Sequence, residues 1–140
     1  MIIFLRVLAP LFAAVTIMSG AERDLKIIAN PALRISEISA AELKSIYLGT
    51  KTSLKEGGQI QPVLARDAKR MDQFAAQYLG KSSAALETYY RSLIFTGKGS
   101  MPVSLASDEQ IIDYVAHTPG AIAFVQESNA NDRVKTLRVK

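Results

Sequence analysis

The sequence contains no cysteine, no tryptophan and a single histidine, His117. Without cysteine there is no disulfide framework and no thiolate chemistry. With one histidine, a zinc site would need carboxylates for its remaining ligands, so no metal or other cofactor is expected. Two further patterns are missing. No G-x-S-x-G string marks a hydrolase nucleophile elbow, and no GxxxxGK[ST] string marks a phosphate-cradling P-loop. No nucleophile, base and orienting group assemble from the remaining residues, so no enzymatic activity is expected. The net charge is only +4 over 140 residues. That is a solvated surface with slight cation excess, and it gives no footprint for nucleic acid. Repeats, low-complexity tracts and linkers are absent.

The first 21 residues stand apart. Arg6 is followed by an apolar stretch from Val7 to Met18, then by Ser19, Gly20 and Ala21, and Glu22 opens a polar region. A basic start, an apolar core and small residues before a polar segment match a secretory signal peptide, with cleavage placed after Ala21. The apolar stretch is shorter than the ~20 residues that span a bilayer. No cysteine follows it, which excludes lipid anchoring at a new N-terminus. Residues 22–140 then read as one domain. Hydrophobic residues make up 49% of the chain, enough for a core without metal or disulfide staples.

Strand and helix signals alternate along that domain. Leu25 to Ala29 is a short apolar run stopped by Asn30 and Pro31, a strand. Ser39 and Glu42 form a capping-box pattern ahead of Leu43, Ile46 and Tyr47, and Gly49 ends the helix. Lys51 to Gly58 reads as a polar loop. Ile60 to Ala65 reads as a strand, with Pro62 indicating a sheet edge or a strand start. Asp67 caps a helix whose Ala68, Met71, Phe74, Ala75, Tyr78 and Leu79 recur at spacings of three and four, closed by Gly80. Ser83 caps another through Leu86, Tyr89, Tyr90, Leu93 and Ile94. A very short strand precedes Ser107, which with Gln110 forms a second capping box before Ile111, Ile112 and Val115. Ala121 to Val125 is a continuous apolar run, suited to a strand buried on both faces. Val134 to Val139 is the last strand. The expected fold class is α/β: about five strands in a mostly parallel or mixed central sheet, flanked by helices.

Five stretches, in order, resemble one family. They are Ile46 to Gly49 after its capped helix; Gly58 with Ile60 to Val63; Arg66 and Asp67 with Phe74, Leu79 and Gly80; Phe95 to Gly99 with Pro102; and Pro119 to Val125. Together they resemble the phosphate-binding solute receptors of ABC transporters, which have the type II periplasmic binding fold. The resemblance covers Leu25 to Val139, about one lobe of a two-lobed receptor. Where the family has a Ser-Gly-Thr turn around its anion, this chain has Ala68, Lys69, Arg70 and Met71. The resemblance implies an exported, periplasmic or secreted, non-enzymatic binding protein. It would hold phosphate or another small anion weakly, because a single lobe leaves the anion half exposed. A second copy, or a membrane or envelope protein, would supply the other wall. The alternative is a ligand-free interaction or scaffold module of an envelope complex.

The candidate ligand-binding residues are Arg66, Asp67, Lys69 and Arg70, with Lys98 more distant. The first four open the helix after Ile60 to Ala65. A helix N-terminus offers free amides and partial positive charge, and arginine grips an oxyanion through two parallel hydrogen bonds. The bland reading is a solvated turn in which arginine pairs with Asp67 or Asp72, because cations in a first turn oppose the helix dipole. Lys98 lies in Thr96 to Ser100, which reads either as an anion-facing loop or as a tight glycine turn. His117 reads as a surface or capping residue. Glu42 and Asp108 read as capping carboxylates. Tyr47, Phe74 and Tyr78 belong to the core. Tyr89 and Tyr90 are adjacent, so one faces in and the other out.

Overall fold

The computed structural model describes residues 25–56 and 58–140. The segment read as a signal, residues 1–21, lies outside them. Among the described residues, no helix is long and apolar enough to cross a membrane.

Strand β1 (Leu25–Ala29) is followed by the two-residue β2 (Glu37–Ile38) and helix α1 (Ala40–Tyr47). The loop expected from Lys51 to Gly58 holds a minimal hairpin, β3 (Ser53–Leu54) with β4 (Gly58–Gln59). Then come β5 (Gln61–Ala65), α2 (Ala68–Phe74), a π-helical turn (Ala75–Leu79), α3 (Ser83–Phe95), β6 (Val103–Leu105), α4 (Asp108–His117), β7 (Ala121–Gln126), a 3-10 turn (Glu127–Asn129) and β8 (Lys135–Val139).

Local chemistry accounts for most of these boundaries. The Ser39 hydroxyl accepts from the Glu42 amide at 3.0 Å, and the Ser107 hydroxyl accepts from the Gln110 amide at 3.2 Å. Each satisfies a helix donor that has no partner within the helix. In the second box the Gln110 side chain reaches back to the amide of Ala106. The cap of α3 is Ser82, one residue before the expected Ser83; the Ser83 hydroxyl turns instead to the Asp72 carboxylate. After Phe74 the helix widens to π pitch and closes at Gly80, which has φ +62°. Phe74 and Leu79 are five apart, so the wider turn keeps both on the core side.

Six strands form one mixed sheet in the order β2-β8-β1-β7-β5-β6. The two-residue β2 brings the count above the expected five. Strand β7 is the changeover: it runs antiparallel to β1 and parallel to β5. Its run Ala121 to Val125 is fully buried, as the continuous apolar pattern predicts. Pro62 does not mark an edge. Strand β5 lies between β7 and β6, and Pro62 is tolerated because it stands second in the strand. The crossovers from β5 to β6 and from β6 back to β7 run in opposite directions. Right-handed crossovers then place α2 and α3 on one face of the sheet and α4 on the other.

An aromatic stack fills the first face. The rings of Phe74 and Phe124 lie parallel, 3.9 Å apart, and Tyr47 meets Phe74 edge-on at 4.7 Å. All three are fully buried, each contributing about 1.5–3 kcal/mol by leaving water. Alternation turns Ala121, Ala123 and Val125 to the α4 face, where small side chains let the helix approach. Two expected core positions differ. Tyr78 is only half-buried, and Ile94 is exposed together with Phe95 at the end of α3.

Candidate functional site

In α/β sheets, ligands gather where parallel strands end, at their carboxyl edge. Strands β7, β5 and β6 are parallel neighbours here. Strand β5 runs out into Arg66 and Asp67, β6 into Ala106 and Ser107, and β7 into the turn that ends at Asn129. Two of these exits open helices. The Asp67 carboxylate caps α2 by accepting from the Arg70 amide at 2.9 Å. The Arg66 amide donates to the Leu105 carbonyl at 2.8 Å, which ties the ends of β5 and β6 together.

The four residues singled out at this edge divide by role. Arg66 is exposed, and among the described residues its side chain has no ion-pair partner. It stands on the rim of a groove of about 270 Å³ between the start of α2 and α3, whose walls include Leu64, Met71, Ser83, Glu87 and Tyr90. Lys69 is exposed beside it on α2. Asp67 spends one carboxylate oxygen on the cap. Arg70 turns away from solvent and pairs with Asp108 at the start of α4. Lys98 does not join the group. It follows the far end of α3, whose 13 residues span ~19 Å. Its amide donates to the Leu93 carbonyl and Gly97 has φ +69°, so Thr96 to Ser100 is a glycine turn that ends the helix.

Asp108 corrects the sequence reading. Ser107 supplies the cap, and the Asp108 side chain is 94% buried by the relative exposure of 6%. Besides Arg70, it accepts from the Gln126 amide at 3.1 Å and from the Asn129 side chain at 2.8 Å. Nothing local marks it for this part. Arg70 is 38 positions away, and a carboxylate in a helix's first turn is already explained by the dipole.

Other polar groups are accounted for structurally. His117 is exposed, its Nδ1 lying 2.8 Å from the Asp113 carbonyl of the same helix. Among the described residues, no three His, Asp or Glu side chains come together to hold a metal ion. Tyr89 and Tyr90 both donate to the end of α1, to Leu48 and Tyr47 carbonyls respectively. Tyr90 is buried and Tyr89 half-buried. Burial pushes the Tyr47 hydroxyl well above the ordinary tyrosine value, and the neighbouring Tyr90 adds to it. Burial likewise raises Tyr90, with Tyr89 contributing. On the opposite flank, the hydrogen bond from Lys140 lowers the Glu37 carboxyl.

The fold defines a class: an α/β lobe built on a mixed six-stranded sheet flanked by helices. No protein-family model matches the chain, and no curated protein matches it. Among solved structures, it superposes on an ABC-type phosphate transport receptor from Vibrio cholerae. The TM-score is 0.56 at 20% identity, covering 82% of this chain and 45% of the receptor. It superposes also on PstS from Borrelia burgdorferi, with a TM-score of 0.60 at 14% identity, covering 83% of this chain and 47% of that one. The chain therefore has the fold of phosphate ABC transporter substrate-binding proteins and spans less than half of their length, as a single lobe does.

Proposed function

We propose that this chain is an exported, non-enzymatic binding lobe that takes phosphate or a similar small anion weakly at Arg66, with Lys69 beside it. The observation that carries the reading is the placement of Arg66. It is an exposed arginine without an ion-pair partner among the described residues, at the carboxyl end of a parallel strand, where a helix begins. An anion there meets a guanidinium, a nearby ammonium and the positive end of a helix dipole. Leu64, Met71 and Tyr90 give the groove an apolar floor. Asp67 helps by holding the first turn in shape. The missing Ser-Gly-Thr turn and the single wall make the affinity low. Arg70, committed to Asp108, does not contribute to this site, and Lys98 is too far along α3.

The test is calorimetric titration of residues 22–140 with phosphate at low salt, beside Arg66→Ala. Saturable heat that vanishes in the variant supports the reading. Absence of heat at millimolar phosphate overturns it.

A second observation favours the alternative, an interaction module of an envelope complex in the periplasm or outside the cell. Ile94, Phe95, Met101 and Val103 are all exposed, and Phe95 is 93% exposed. They sit where α3 ends and β6 begins, and β6 is an edge strand. Clustered apolar side chains beside an open strand edge suit a protein contact. A membrane protein or a second copy would be the partner under this reading.

A further inference from the structure

We infer that Arg70, the Gln126 amide and the Asn129 side chain form a carboxylate cradle, distinct from the Arg66 groove, which the chain's own Asp108 occupies. Three observations converge. First, both oxygens of Asp108 are used: Oδ1 meets the Arg70 guanidinium, and Oδ2 accepts from Gln126 and Asn129. Second, none of these donors belongs to the helix that carries Asp108. They come from α2, the last residue of β7 and the 3-10 turn after it, and α4 has its own cap in Ser107. Asp108 is therefore placed as a ligand is placed, by groups converging from separate elements. Third, Asp108 lies in the wall of a groove of about 370 Å³ between the start of α4 and the loop carrying Asn131 and Arg133. A small anion has a route to the cradle once the side chain is cut back.

The donor set selects the ligand class. A guanidinium opposite one oxygen, and an amide with a carboxamide opposite the other, match a planar carboxylate with two acceptor oxygens. The positive charge demands an anion, and the small space left by an aspartate side chain admits formate or acetate. In the intact protein the resident carboxylate is held at very high effective concentration, so free anions do not compete. This accounts for Arg70 standing at the ligand edge without being available to an external ligand.

Chemical rescue tests the assignment. Asp108→Ala is melted in sodium formate and in sodium chloride at equal ionic strength, beside the intact protein and the Arg70→Ala, Asp108→Ala double variant. Cutting back Asp108 strands a nearly buried guanidinium, so the single variant melts lower in chloride. Formate then raises its melting temperature by about 6 °C at ten times the dissociation constant. The intact protein and the double variant show no formate-specific rise. If Asp108→Ala does not fold in chloride, recovery of its circular dichroism on adding formate is the same readout, and Asp108→Ser serves as the milder variant. Equal behaviour in formate and chloride for both variants overturns the inference and reduces the cluster to an ordinary buried ion pair. Phosphate binding at Arg66 is read separately, by its own variant.

Discussion

The side-chain amide of Asn30 donates to the Val115 carbonyl at 2.8 Å, across 85 positions of sequence. The same amide reaches the Ala116 carbonyl, while its oxygen accepts from the amide of Ala32. One buried side chain thus closes the end of α4 and shapes the turn that leaves β1. Asn30→Ala takes this partner from the Ala116 carbonyl and the Ala32 amide, and leaves the Val115 carbonyl with only the Thr118 amide at 3.4 Å. The expected loss is about 2–3 kcal/mol of unfolding free energy. A urea titration checks it, and a loss under ~0.5 kcal/mol would show that water replaces the asparagine without penalty.

Gly120 precedes β7 with φ +81°, and a side chain there would stand 2.2 Å from the Gln59 carbonyl. The carbonyl of Gly120 also accepts from the amide of Gln61, so the close approach stitches β7 to β5. Gly120→Ala combines left-handed strain of about 1–2 kcal/mol with a backbone collision that only a shift of β4 relieves. The expected outcome is a loss above ~2 kcal/mol and low soluble yield. Gly80→Ala, with open space around its Cβ, carries the strain without the collision and should cost less. Comparing their thermal melts separates strain from collision.

Tyr47 and Tyr90 give the protein an alkaline limit. Burial keeps both hydroxyls protonated above the ordinary value of 10.0. The unfolded chain releases those protons at the ordinary value. Stability is therefore complete below about pH 10 and falls as pH rises beyond it. Circular dichroism followed against tyrosinate absorbance should show structure lost as the buried tyrosines ionise. Tyr90→Phe removes one of the two groups, so its unfolding midpoint should move to higher pH. At neutral pH it gives up the bond to the Tyr47 carbonyl, about 1 kcal/mol.

Phe95 contributes almost nothing to the core, so Phe95→Ser should leave stability within about 0.5 kcal/mol. Its effect should appear in association. Under the interaction-module reading, the variant binds less of a hydrophobic dye and loses any concentration-dependent increase in sedimentation. An unchanged dye signal would mean that the apolar cluster is not an accessible surface.

Much of the fold was legible because its signals are local. Caps at Ser39, Asp67 and Ser107 depend on a hydroxyl or carboxylate meeting an amide three residues on. The buried run of β7 announced itself by composition. The misreadings also have a local cause. Serines at 82 and 83 are equivalent cap formers in sequence, and only the entry angle of the chain chose Ser82. Ile94 has the right spacing for a buried stripe, but whether anything packs against it depends on elements remote in sequence. At the site, Arg66 and Lys69 were visible as cations at a helix start. The partner of Arg70 was not, because a chain position carries no record of which distant carboxylate will face it.

By itself, then, the sequence determined the succession of the longer strands and helices and most of their caps. It also excluded thiol chemistry, since no cysteine is present. These follow from periodicity, capping and composition, which act within a few residues. The tertiary structure decided that β7 joins an antiparallel half of the sheet to a parallel one, and that β5 is internal. It also decided that Arg70 is tied to Asp108 while Arg66 stays open to solvent. Those outcomes depend on contacts between segments remote in sequence, which form only when the elements pack.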